Sequence, residues 1–128
     1  MTKTVLLDTN FLMIPAQFRV DIFSELARIC DFSFKAAVLD RTVEELESIR
    51  KNQKGKHRTA ADFALKLLKK KDLKIIRTNS KKPVDDLIAE FAENGAIVAT
   101  QDSALRKIIK SKKGRTIFLR NKKFLKLE

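Results

Sequence analysis

Hydrophobic positions in this 128-residue chain fall into two kinds of run. The first kind is short and almost wholly apolar: residues 4–7 (Thr-Val-Leu-Leu), 34–39 (Phe-Lys-Ala-Ala-Val-Leu), 96–99 (Ala-Ile-Val-Ala) and 116–119 (Thr-Ile-Phe-Leu). Runs of this length and make-up read as strands buried on both faces. Residues 73–77 alternate briefly and read as a fifth strand. The second kind has helical spacing. Val20, Phe23, Leu26, Ala27 and Cys30 line one face over residues 19–30, and Val43, Leu46 and Ile49 line another. Ala60, Phe63, Ala64, Leu67 and Leu68 follow from about Thr59, then Leu87, Ile88 and Phe91, then Leu105, Ile108 and Ile109.

Punctuation between the runs agrees. Pro15, after Phe11–Ile14, suits a helix start or turn, and Pro83 opens a helix that Asn94-Gly95 closes. Asp40 or Thr42 caps the helix after the second strand, and Thr42 with Glu45 three residues on fits a capping box. Residues 51–57 form a polar, basic loop around Gly55, and Gly114 precedes the last strand. The order β, α, α, β, α, α, β, α, β, α, β predicts an α/β fold: a mostly parallel five-stranded sheet with helices on both faces. Residues 1–128 make one domain, with a basic C-terminal tail from about 120 ordered only in part.

Charge changes the picture. Lys and Arg number 28 against 16 Asp and Glu, a net charge of +12. Arg50 to Lys71 holds nine basic residues and one acid, and Ser103 to Glu128 ten and one. Two basic segments on a globular α/β domain point to a polyanion, most often a nucleic acid. A membrane span is not expected, since no apolar run approaches the roughly 20 residues of a membrane helix, nor a membrane-surface role, since the basic helix lacks a broad aromatic face. The N-terminus does not read as a signal peptide, and the expected location is cytoplasmic. One Cys (Cys30) and one His (His57) exclude an internal disulfide and a structural zinc site.

The chemistry therefore falls to carboxylates. In an open α/β sheet, ligands bind beyond the carboxyl ends of the strands. Asp8 follows the first strand, Asp40 the second with Glu44 and Glu45 close behind, and Asp102 the fourth; Asp85 and Asp86 open the helix after Pro83. Each could simply serve a helix start. Converged, they would repel unless a hard cation sat among them, and Mg²⁺ or Mn²⁺ prefers such oxygen ligands. An acidic cluster beside basic surface suits phosphodiester hydrolysis.

The same residues resemble the motifs of the PIN-domain family of metal-dependent ribonucleases. Val5-Leu6-Leu7-Asp8-Thr9-Asn10 looks like that family's opening motif and Val43-Glu44-Glu45-Leu46 like its second. Val84-Asp85-Asp86-Leu87-Ile88 looks like the third and Thr100-Gln101-Asp102-Ser103-Ala104-Leu105 like the fourth. The resemblance covers essentially the whole chain. It implies a three-layer α/β/α sandwich with Asp8, Glu45, Asp85 and Asp102 as catalytic acids around one or two Mg²⁺ or Mn²⁺ ions, Asp86 being a further candidate ligand. It implies endonucleolytic cutting of single-stranded or structured RNA. Thr100 or Ser103 would orient the carboxylates, and Thr9 and Asn10 would shape the loop. Arg50, Lys51, Lys54, Lys56 and Arg58 are candidates for RNA contact, as are Lys107, Lys110, Lys112 and Lys113. Without Trp or Tyr, base stacking falls to Phe or Arg. The Leu12–Phe18 segment, the second helix pair and the basic tail look more like the branch that processes small-subunit ribosomal RNA. Toxins of toxin–antitoxin pairs are the other branch, and a scaffold that binds RNA without cutting is a third reading. Ribosome-assembly proteins, an antitoxin or a second copy of the chain are the partners these readings imply.

Overall fold

The computed structural model describes residues 2–128. In chain order the elements are β1 (Lys3–Leu7), α1 (Thr9–Leu12), α2 (Ile14–Phe18), α3 (Ile22–Ile29), β2 (Phe34–Leu39), α4 (Asp40–Asn52), α5 (Lys56–Lys70), β3 (Lys74–Ile76), α6 (Val84–Glu93), β4 (Ile97–Ala99), α7 (Ser103–Ser111), β5 (Thr116–Arg120) and β6 (Phe124–Leu127). The sheet order is β3-β2-β1-β4-β5-β6. The first five strands run parallel, and β6 pairs antiparallel to β5. Alternate residues of the inner strands feed two cores. Val5, Leu7, Val38, Ile97, Ala99 and Ile117 pack with α1–α5, whereas Leu6, Leu39 and Val98 pack with α6 and α7. This is the expected α/β/α layering, with a sheet one strand wider than the hydrophobic pattern indicates.

The extra strand explains the supposed tail. Residues 124–127 form β6 rather than a frayed end. The turn before it is Asn121-Lys122, with φ of 55° and 57°, and Lys123 N–H returns to the Arg120 carbonyl at 3.1 Å. Two left-handed central residues make the hairpin turn whose twist matches paired strands. That turn is ordinarily announced by glycine; here Asn121 and an unfavourable Lys122 carry it, so the signal is hidden.

Three other boundaries differ. The helix expected over 19–30 is α3, Ile22–Ile29, begun by the Asp21 carboxylate accepting from Phe23 and Ser24 N–H. The predicted loop over 51–57 shrinks to Gln53–Gly55, because α4 continues to Asn52 and α5 starts at Lys56. Thr42 caps nothing. It is buried within α4, which begins directly after β2 at Asp40. No helix among the described residues is long and apolar enough to cross a membrane.

Candidate active site

Strand order decides where the acids meet. β1 has β2 on one side and β4 on the other, so chain connections leave in opposite directions from its carboxyl end. Such a switch point leaves a crevice above the sheet. Asp8 extends β1 there, its N–H donating to the Ala99 carbonyl of β4 at 2.9 Å. Thr100, Gln101 and Asp102 leave β4 on the facing side.

Hydrogen bonds lock the two lips together. Asp8 caps α1: its Oδ1 accepts from Thr9 N–H at 2.9 Å, and its Oδ2 accepts from the Thr100 hydroxyl at 2.7 Å. Asn10 Oδ1 accepts from Gln101 N–H at 3.1 Å. The Thr100 hydroxyl accepts in turn from Asp102 N–H at 3.1 Å. Asp102 Oδ1 caps α7 by accepting from Ala104 and Leu105 N–H, and its Oδ2 has no hydrogen-bond partner among the described residues. Glu45 enters from α4, where its Oε2 accepts the Thr9 hydroxyl at 2.9 Å. Fully buried Leu46 fixes that turn of α4 in the core. Glu45 is thus spent on Thr9, not on a capping box.

Asp85 and Asp86 both lie in the first turn of α6 and are exposed. Their electrostatic neighbours differ. Asp85 acts on Asp8 and is itself acted on by Asp102, whereas Asp86 acts on Lys82 and Lys112. Burial raises the Asp8 carboxyl above the ordinary carboxylate range; hydrogen bonds from Thr100 and Thr9 oppose that, and the charges of Glu45 and Asp85 reinforce it. Asp85 is raised as well, first by partial desolvation of its carboxyl and then by Asp102 and Asp86.

These carboxylates also lack counter-charges. In a chain of net charge +12, none of Asp8, Glu45, Asp85 and Asp102 forms an ion pair among the described residues, although Glu25, Asp62, Glu90, Glu93 and Glu128 all do. Four unpaired carboxylates in mutual repulsion, offering only oxygen, fit a hard divalent cation. Among the described residues, however, no three of His, Cys, Asp or Glu stand close enough together to hold a metal ion as they are, so these acids would have to draw in around one. Thr9, Asn10 and Thr100 hold this set in place; exposed Ser103 makes no side-chain hydrogen bond among the described residues.

Asp40 belongs to a different structure. It accepts from the Thr78 hydroxyl (2.7 Å) and N–H (3.0 Å), while the Arg41 guanidinium donates to the Ser80 and Lys82 carbonyls. Together they fasten the segment that leads to Asp85. The Thr78 hydroxyl, then its N–H, holds the Asp40 carboxyl below its usual range. A depressed native value stabilises the fold above the unfolded value near 3.9, and that contribution fades as pH falls through the native one. Asp40→Asn is therefore expected to unfold at lower urea than wild type at pH 7. The gap should narrow below about pH 4, as urea titrations at both pH values would reveal.

The basic candidates divide by position. α4 and α5 form an antiparallel hairpin, with Arg50 facing Asp62 at 3.8 Å. At 1.5 Å per residue, Arg50 and Lys51 stand about 8–9 Å along α4 from Glu45. Lys54, Lys56 and Arg58 surround the hairpin tip. α7 leads away from Asp102, so Lys112 and Lys113 lie at the opposite, amino edge of the sheet, where Lys112 pairs with Glu93 at 2.9 Å. Lys107 is exposed midway, and Lys110 is paired with Glu128. Arg106 and Phe118, which the sequence reading passed over, stack with the guanidinium 4.1 Å from the ring centroid.

A doubly wound α/β domain with an uncompensated acidic crevice at its switch point defines the class. The chain belongs to the PIN-like domain family, whose model matches residues 5–122. It is similar to Ribonuclease VapC4 of Methanocaldococcus jannaschii, 28% identical over 124 residues that make up 94% of this chain and 92% of that protein. Ribonuclease VapC9 of Archaeoglobus fulgidus is 31% identical over 112 residues, 86% of this chain and 78% of that protein. Among solved structures, the PIN domain endonuclease Utp24 matches with a TM-score of 0.78 at 23% identity, covering 98% of this chain and 90% of its own. A domain of a functionally unknown Methanocaldococcus jannaschii protein matches with a TM-score of 0.59 at 17% identity, covering 93% and 92%. At these identities the structural matches speak for the fold.

Proposed function

We propose that this chain is a divalent-metal-dependent endoribonuclease, with Mg²⁺ or Mn²⁺ as its ion and ribosomal RNA as its substrate. The observation that carries the reading is the set of four acids left without counter-charges in a strongly basic chain. The family and the two relatives named ribonucleases support the reaction class. A cation bound there would stabilise charge at the scissile phosphate and favour an attacking water. Asp8, Glu45, Asp85 and Asp102 would hold it. Thr100 and the Thr9 N–H keep the Asp8 carboxylate aimed into the crevice, the Thr9 hydroxyl holds Glu45, and Asn10 ties the β1 lip to Gln101. Lys and Arg at the α4–α5 tip would hold the sugar-phosphate backbone.

Ribosomal RNA is favoured by the Leu12–Phe18 segment, which runs from the end of α1 through α2, and by the basic α4–α5 tip. A second reading, a toxin ribonuclease with an antitoxin partner, draws on the relatives named VapC. Cleavage of small-subunit ribosomal fragments alongside unrelated RNAs separates the two. Selective cuts in the ribosomal fragments are expected; cuts that show no preference for them would favour the toxin. Affinity for RNA is expected to fall by about 10³-fold or more between about 50 and 200 mM salt if six or more phosphates are contacted. Filter binding across that range checks it, and a flat response would remove the basic segments from the account.

A further inference from the structure

The α6–α7 layer meets β5 only through α7 and packs little against β6. Alternation along β5 and β6 sends Ile117, Leu119, Leu125 and Leu127 into the larger core. Phe118, Arg120, Phe124 and Lys126 therefore occupy the opposite face, the one α7 borders, and none joins the smaller core there. Phe118 is only partly buried, and Phe124 is 38% exposed. Phe118 pairs with Lys126 and Arg120 with Phe124 across the ladder, so the two rings sit on a diagonal that aromatic side chains span. Arg106 of α7 already sits over Phe118, its guanidinium carbon 4.1 Å from the ring centroid. Glu128 on the same face is neutralised by Lys110. Beyond β6 the face opens into a groove of about 640 Å³ whose lining includes Arg28, Arg115, Arg120, Phe124 and Lys126, with Asp31 as its acid.

We propose that this β5–β6 face is a second RNA-binding surface, on which unpaired bases stack against Phe118 and Phe124 while Arg106, Arg120 and Lys126 hold the phosphates. The proposal rests on reading the chain as a ribonuclease and supplies that reading with a way to grip single strands. Aromatic rings interleaved with cations are what such strands require, since every base has a π-face and every linkage a charge. A strand-adding protein partner is disfavoured. The outward N–H and carbonyl of Leu125 are already taken, by Glu25 at 2.9 Å and Arg28 at 3.2 Å. The surface is also continuous with the crevice. The N–H of Leu119, next to Arg120 at the end of β5, donates to Gln101 Oε1 at 2.6 Å, between Thr100 and Asp102. Two strand spacings, about 10 Å, separate β6 from β4.

The chain has no Trp, so Phe124→Trp makes a lone fluorescent reporter on the surface. Single-stranded oligouridine is expected to quench it, saturating at the concentration at which fluorescence anisotropy of labelled RNA saturates. Duplex RNA of equal length should quench it far less. Phe118→Leu with Phe124→Ser should weaken oligouridine binding about tenfold or more. The same pair should bind a base-free ribose-phosphate chain as wild type does. An indole unmoved by saturating oligouridine, or a double variant within twofold of wild type, would overturn the proposal. So would quenching by polyglutamate and not by RNA, which would indicate an acidic protein partner. Failure of the ribonuclease reading shows separately: quenching by oligouridine without metal-dependent cutting sustains this surface and removes the enzyme.

Discussion

Asp8→Asn is expected to lower RNA cleavage by at least a hundredfold, with RNA affinity within about twofold of wild type and no loss of fold stability. The cleavage loss follows from position. Asp8 is the one acid tied to both lips of the crevice, and removing a single preorganised electrostatic group commonly costs 10²–10³ in rate. Affinity should persist because it comes from Lys and Arg elsewhere. Stability has a sign that distinguishes this residue from an ordinary helix cap. Losing a cap normally destabilises by about 1 kcal/mol. Here burial and like charges raise the native carboxyl, so its contribution is fully present below the unfolded value near 3.9 and lost as pH rises through the native one. At pH 7 the ionised group is a net cost, which the neutral amide relieves while keeping an oxygen for Thr9 N–H; the Thr100 hydroxyl, losing Oδ2, is left with Asn10 Oδ1 at 3.4 Å as its acceptor. Cleavage kinetics, filter binding and thermal unfolding of one preparation read all three. A fall in melting temperature together with lost cutting would make Asp8 a cap and no more.

Divalent metal should act in the opposite direction on wild type. A ligand that binds only the native state at 100 times its dissociation constant stabilises by about 2.7 kcal/mol. For a chain of this size that is a rise in melting temperature of roughly 10 °C. The gain comes from neutralising Asp8, Glu45, Asp85 and Asp102, which have no Lys or Arg to do so. Scanning calorimetry with Mn²⁺, Mg²⁺ and EDTA should show the rise in wild type and most of it missing in Asp8→Asn. Equal shifts in both proteins would place the cation elsewhere.

Much of this architecture was legible because its signals are local. Buried parallel strands must be apolar throughout, so 4–7 and 96–99 stood out, and Pro83 and Asn94-Gly95 bracketed α6. What escaped depended on distant partners or on residues working against type. β6 was hidden by lysines and by a hairpin turn without glycine. The Thr42–Glu45 spacing imitated a capping box. The fold instead begins α4 earlier and gives Glu45 to Thr9, 36 residues away in sequence. Asp40 resembled the other strand-end acids until Thr78, 38 residues on, claimed it. Asp85 and Asp86 are adjacent in sequence and differ only in their surroundings, Asp8 and Asp102 for one, Lys82 and Lys112 for the other. The pairing of Arg106 with Phe118 is purely tertiary.

The central claim is that the acidic crevice cuts RNA. Its most direct test is cleavage of an end-labelled pool of structured RNAs that includes small-subunit ribosomal fragments, run with Mn²⁺ and with EDTA, for wild type and for the Asp8→Asn/Asp102→Asn double variant. Discrete cuts are expected with wild type and Mn²⁺ alone, and intact RNA in the other three lanes. Cuts of the same pattern from the double variant would contradict the claim, and the four acids would lose the role given to them here.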